Sequence, residues 1–326
     1  MSNAENNPIE TVCEPGVPVA EILEPRLVPL GGLRSMNVRR TLPQRARSLI
    51  GGWCFVDHYG PNNVAEVGGM TMNGHPHTGL QTVTWLFAGE VEHKDTIGSV
   101  RLVRPGEVNL MTAGAGIAHS EYSTPQTATL HGVQLWLAIP NVDRFTEPSF
   151  ENFVTDPLEL DGATVRVFIG ELAGRVSPVR TFSRLVGAQL ELSPGASLTL
   201  DVDPTFEHGL LVDQGAALLG DVKVAQDQLA YQPTGCTTLT ITATEDGPAR
   251  LLLLGGEPLG EHIVMWWNFI GRTHEEIVEF RERWQARVGT PNTDPHDSQD
   301  FGGFPDDWLT VIPAPELPNA RLKPRS

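Results

Sequence analysis

Short runs of alternating apolar and polar residues dominate the chain and predict strands. The first series is WCFVDH at 53–58, LQTVTWLF at 80–87, VRLVRP at 100–105, VNLMT at 108–112 and GVQLWLAIP at 132–140. Clusters of Gly, Pro, Asn and Asp separate these runs, as turns between strands require. A second series comprises TVRVFIG at 164–170, AQLELSPGASLTLDV at 188–202, GLLVDQGAALLGDVKV at 209–224, TTLTITA at 237–243 and ARLLLLGGEPL at 249–259. Strands of this length and spacing predict two antiparallel barrels, sharing a plan rather than a sequence, each of about 110 residues.

One helix stands out from this β pattern. Thr273 and Glu276 form a capping box ahead of Ile277, Phe280, Trp284 and Val288, which fall on one helical face. The predicted division is a mobile arm over 1–25, a first barrel over 26–140 and a linker over 141–160. A second barrel over 161–289 follows, with its terminal helix at 274–288, and then a Pro-rich tail over 290–326. In that tail only FGGFPDDW, 301–308, is aromatic enough to dock; the remainder reads as loose chain.

Composition narrows the function classes. With 33 glycines and 26 prolines in 326 residues, turns are plentiful and long helices disfavoured. A net charge of −17, without a Lys/Arg run of useful length, argues against direct contact with nucleic acid or anionic lipid. The three cysteines, Cys13, Cys54 and Cys236, have no CxxC spacing and suit a reducing compartment. Cys54 reads as a buried inert thiol rather than a nucleophile. The N-terminus lacks the basic and apolar regions of a signal peptide, and no apolar stretch approaches the roughly 20 residues of a membrane span. The expected location is cytoplasmic, or nuclear in a eukaryote.

Two segments carry candidate chemistry. In GMTMNGHPHTGLQTVTWLFAG, 69–89, His75 and His77 are two residues apart and would project from one face of a strand. In RPGEVNLMTAGAGIAHSEYS, 104–123, His119 and Glu121 repeat that spacing. A lone histidine in a strand is usually a surface group or a satisfied core residue. Two same-face pairs, each beside glycine-rich turns, point instead to a metal site. Three imidazoles and one carboxylate suit a divalent first-row ion: Fe(II), Mn, Co, Ni, Cu or Zn. By strand phase, Trp85, Phe87, Met111, Gln134 and Trp136 are candidates for the wall of a substrate pocket, with ordinary barrel core as the alternative.

The strings HPHTGLQTV, MTAGAGIAHSE and HGVQLWLAIP, with downstream GGEPLGE and THEEI, resemble the pirin family of the cupin superfamily over residues 26 to 290. The resemblance implies a mainly β bicupin: an N-terminal cupin barrel holding one metal, with Fe(II) expected, and a C-terminal cupin without metal. It implies His75, His77, His119 and Glu121 as ligands, Glu121 also serving catalysis by taking a substrate proton. Where many cupins carry a glutamate this chain has Gln81, whose amide is expected near the metal. The implied activity is that of a quercetin 2,3-dioxygenase, in which dioxygen cleaves a flavonol-like aromatic substrate with loss of carbon monoxide. The alternative is a metal-dependent, non-catalytic regulator of a transcription factor or metabolic enzyme. In the second barrel His208 stands without an HxH partner.

Overall fold

The computed structural model describes residues 20–30, 36–288, 300–308 and 310–325. Residues 1–19 of the expected arm over 1–25, Cys13, and residues 289–299, which hold the start of the expected tail, lie outside the described residues.

The strands form two cupin-type barrels, each made from a large and a small antiparallel sheet. In the first, the large sheet runs in spatial order Ser149–Val154, Glu107–Thr112, Leu80–Ala88, Thr129–Ala138, Trp53–Asn63, Met36–Leu42 and Arg26–Leu30. Its small sheet is Thr71–His77, Ile117–Ser123, Val91–Asp95 and Val100–Val103. The second large sheet runs Glu21–Leu23, Leu229–Gln232, Glu207–Gln214, Ala249–Gly256, Leu185–Leu192, Ala163–Leu172 and Leu158–Leu160, with Arg175–Val176 paired to Ala163–Leu172. Its small sheet is Ser197–Asp201, Thr238–Ala243, Ala217–Leu219 and Val222–Val224. The two orders correspond strand for strand. Thr71–His77 therefore has its counterpart in Ser197–Asp201, and Ile117–Ser123 in Thr238–Ala243.

The sheet edges cross the boundaries expected from the sequence. Glu21–Leu23, placed in the arm, pairs with Leu229–Gln232 of the second barrel. Ser149–Val154, placed in the linker, pairs with Glu107–Thr112 of the first. Each closes an exposed sheet edge, which supplies backbone partners to chain that looked like connector.

The large sheets pack against one another. Trp53, Val83, Trp85, Leu110 and Leu135 of the first share one buried cluster with Phe168, Leu185, Leu211, Leu252 and Leu254 of the second. Covering both faces of a strand removes the need for polar alternation, which explains the unbroken apolar run ARLLLLGG. Polar links cross the same interface: Trp85 Nε1 donates to Gln189 Oε1 at 2.7 Å and Trp53 Nε1 to the Gly255 carbonyl at 3.1 Å. Asp213 of the second barrel sits 2.6 Å from Nε2 of both His58 and His131 of the first, and its other oxygen accepts from Arg250 Nε at 2.5 Å.

The helix spans His274–Val288 and buries Ile277, Phe280 and Trp284. At its start the Glu276 amide donates to Thr273 Oγ1 at 3.2 Å. The tail packs on the body both over FGGFPDDW, the piece read as able to dock, and beyond it, where loose chain was expected. Phe301, Phe304 and Ala314 are buried in one cluster with Phe269 and Trp284, and Trp284 Nε1 donates to the Ile312 carbonyl at 2.9 Å. Prolines limit its secondary structure without preventing docking, because aromatic side chains and isolated backbone bonds hold it. Among the described residues no helix is long and apolar enough to cross a membrane.

Candidate metal centre

The ligand candidates sit on the small sheet of the first barrel. Thr71–His77 pairs antiparallel with Ile117–Ser123, setting His75 opposite His119 and His77 opposite Ile117. The turn that follows needs Gly79: it has φ +70°, and a Cβ there would lie 2.2 Å from the Ile270 carbonyl oxygen. Gly74 is equally constrained, since a Cβ would meet the Trp308 ring at 2.5 Å. The glycines of the motif thus let the hairpin Val264–Trp266/Phe269–Gly271 and the tail lie against the ligand strand.

His75, His77 and His119 converge: one nitrogen from each lies within 4.8 Å of the others. His77 Nε2 is 3.1 Å from His119 Nε2. The outer nitrogens of two of these rings are already committed. His75 Nδ1 donates to the Asn73 carbonyl at 2.9 Å and His77 Nδ1 to the Asn268 carbonyl at 3.2 Å, which leaves each Nε2 as a lone pair facing inward. Burial holds all three imidazoles neutral, pushing His75 down to about 4 and His77 and His119 well below their ordinary range. Neutral rings with fixed tautomers and free inner lone pairs are the form in which histidine binds a metal. The donor set fits a divalent first-row ion.

Glu121 stands differently. The pairing of the two strands shifts between His119 and Glu121, so that Glu121 lies opposite Met72 instead of Asn73. Such an extra residue re-aims the side chains beyond it. The Glu121 carboxylate falls within 4.8 Å of His119 and His93, but forms no such group with His75 and His77. With His93 added, the four candidates therefore fall in two overlapping triads, His75/His77/His119 and His93/His119/Glu121, that share His119. Desolvation raises the Glu121 pKa above the ordinary carboxylate range. Thr84 Oγ1 lies 3.1 Å from Glu121 Oε1 and 3.0 Å from the side-chain amide of Gln134. Gln134 presents Oε1 to Thr84, so the single hydroxyl proton serves one of the two oxygens at a time.

His93 was not among the residues singled out by sequence. It faces Glu121 on Val91–Asp95, with Nδ1 3.3 Å from His119 Nδ1 and Nε2 3.2 Å from Asp95 Oδ2. The signal was present: in VEHKD, His93 and Asp95 are a third same-face i, i+2 pair on a strand of alternating burial.

The predicted pocket residues divide by strand. Trp136 packs edge-on against His77 with centroids 5.1 Å apart and stacks on Phe55, and Met111 belongs to the same buried cluster. Gln134 reaches the site through Thr84. Trp85 and Phe87 do not line it. Trp85 stacks on Phe168 of the second barrel, and Phe87 lies beside His131 and under Arg250. The phase chosen for LQTVTWLF was inverted, because aromatic residues on this strand serve the contact between barrels while Thr84 faces the site. Gln81 follows the outer phase, donating to Thr112 Oγ1 and the Arg180 carbonyl, and so is not beside the candidate ligands. Cys54 is buried, with its thiol pushed strongly up by desolvation, which leaves little thiolate for chemistry.

Comparison with known proteins places these features in context. The sequence profile described as Pirin matches residues 35–137, and that of the Pirin C-terminal cupin domain matches residues 187–288. The Pseudomonas aeruginosa protein named "Putative quercetin 2,3-dioxygenase PA1205" is 43% identical over 268 residues, covering 81% of this chain and 84% of its own. A pirin-like protein of Caulobacter vibrioides is 33% identical, covering 80% and 93%. The crystal structure of quercetin 2,3-dioxygenase from Acinetobacter baumannii superposes with a TM-score of 0.83 at 34% identity, covering 93% of this chain and 97% of that one.

Proposed function

Because the chain belongs to the pirin family, we propose that it is a metal-dependent dioxygenase of the quercetin 2,3-dioxygenase type, acting on a flavonol-like aromatic substrate with Fe(II) as its metal. The observation that carries this reading is the trio of buried, neutral imidazoles beside a buried carboxylate. His75, His77 and His119 would hold the ion, with Glu121 completing the set. When bound, the ion would supply Lewis acidity toward a substrate hydroxyl and a meeting point for substrate and dioxygen.

The remaining roles belong to the chain's own residues. Glu121 would accept the hydroxyl proton; a carboxyl with its pKa raised by burial is a better base near neutrality than an exposed one. Thr84, fixed by Gln134, would hold the carboxylate in one orientation. Asn73 and Asn268 would keep the two ligand rings in the tautomer that presents Nε2 inward. Trp136, stacked on Phe55 against His77, would give an aromatic substrate a flat apolar wall.

Oxygen uptake tests the proposal. Protein reconstituted with Fe(II) or Ni(II) is expected to consume dioxygen in the presence of quercetin, and His75→Ala to abolish the uptake. A full metal load with no turnover of any flavonol would overturn the enzymatic reading.

A further inference from the structure

The second barrel retains an interior site that the proposed chemistry leaves unused. A cavity of about 930 Å³ opens beside Ser197–Asp201, walled by Leu172, Leu185, Leu198, Leu200 and Phe206, with His208 among its lining residues. The His208 residue is 1% exposed. Neither of its ring nitrogens has a hydrogen-bond partner. The ring edge packs on Gly255, where a Cβ would come within 2.8 Å of the imidazole, and Phe206 lies 6.2 Å away between centroids. A buried polar group without a partner is costly.

We propose that this cavity is a second small-molecule site, which binds a neutral, hydroxylated aromatic compound through a hydrogen bond to His208. The observations select the class. The buried part of the wall, Leu172, Val186, Leu198, Leu200 and Phe206, is aliphatic and aromatic, while polar residues such as Arg184, Thr199 and Asp201 line the exposed part. The volume lies within the usual range for small-molecule pockets. A metal is not expected, since among the described residues no group of three ligating side chains forms within this barrel. An anion is not favoured either. Burial keeps His208 neutral, pushing it down to about 4, so it offers one N–H and one lone pair but no charge. The cation at the rim, Arg184, is already paired with Asp203 and Glu257. A hydroxyl can donate to the lone pair or accept from the N–H, and the ring that bears it fills apolar space.

Calorimetric titration of chelator-treated His75→Ala protein, in which the first barrel is disabled, tests the site without reference to turnover. The probes are 4′-hydroxyflavanone and flavanone, which differ by one hydroxyl. The expected result is one binding site per chain, with flavanone weaker by about tenfold, the worth of one hydrogen bond. In a His208→Leu background the two probes should bind equally. That variant removes an unpartnered buried polar group, so its melting temperature should stay level or rise. Leu200→Trp, which fills the cavity, should abolish binding of both probes; Leu198→Phe serves if Leu200→Trp does not fold. The proposal is overturned if neither probe binds, if the tenfold preference survives in His208→Leu, or if the cavity-filling variant binds as before.

Discussion

Where the first barrel sets His75 opposite His119, the second sets Leu198 opposite Ile241; where the first sets His77 opposite Ile117, the second sets Leu200 opposite Leu239. The strand order around the two pairs is the same. The same framework thus holds a polar, metal-competent centre in one copy and an apolar cavity in the other. The difference extends past the inward side chains. The first barrel supplies the Asn73 and Asn268 carbonyls behind its imidazoles, the second of these from the hairpin laid over it. In the second barrel the one buried histidine has no such acceptor. A metal centre on this fold therefore needs oriented ligands, and one of the two orienting carbonyls, that of Asn268, comes from a segment outside the small sheet.

Two variants test that lesson where the effect is largest. His77→Ala should lower metal affinity at least a thousandfold, about 4 kcal/mol, taking elemental analysis from one ion per chain to none. Grafting the pair onto the second barrel, as Leu198→His with Leu200→His, should bind no metal and cost about 2–5 kcal/mol of stability by denaturant titration. Stoichiometric metal in the grafted barrel would show that side-chain placement suffices and that the carbonyls behind the rings are dispensable.

The next test concerns what joins the copies. Asp213 is a buried carboxylate shared by His58, His131 and Arg250, and these partners hold its pKa well below the ordinary range. A carboxylate with a depressed folded pKa contributes stability above its unfolded value, near 3.8, and loses it as pH falls toward the folded value. Asp213→Ala should cost about 3–5 kcal/mol at pH 7, because it strands the partly buried Arg250 cation and leaves two buried imidazoles without their acceptor at the interface. The difference from the wild type should shrink below pH 4. If the barrels melt as separate transitions in the variant and as one in the wild type, this cluster is what couples them.

Much of the comparison was legible in the sequence, for reasons that also mark where legibility ended. Strand runs bounded by glycine and proline, the capping box at Thr273 and the HPH motif are local patterns, and local patterns survive folding. The phase of LQTVTWLF was not legible. A strand covered on both faces carries apolar residues on each, so Trp85 reads as a pocket wall and nothing in the pattern marks Thr84, the residue beside Glu121. The shifted pairing that turns Glu121 toward His93 was hidden for a similar reason: an i, i+2 rule assumes a regular ladder, and the irregularity lies in the partner strand. His93 itself needed only the same rule applied once more. FGGFPDDW displayed the aromatic content to dock, but the docking of 310–325 depends on contacts across the chain that no window of sequence displays.

The smallest effect separates the barrels by acid. Burial depresses the His208 pKa to about 4, against about 6.5 for the same group in an unfolded chain. Between these values the unfolded chain binds a proton that the folded one refuses, so the folded state loses stability as pH falls through this window and is unaffected above it. His75, with the same depression, adds a second contribution in the same window from the first barrel, and His77 and His119 act in the same direction. His208→Leu should therefore flatten the acid loss by about 1–3 kcal/mol in metal-free protein, measured as denaturation midpoints between pH 6.5 and 4. Metal loading should leave that increment unchanged while shifting the rest of the curve, because ion binding competes with protons only at the first barrel. An increment that vanished on metal loading would place His208 and the three first-barrel histidines in one titrating unit and end the separation of the two copies.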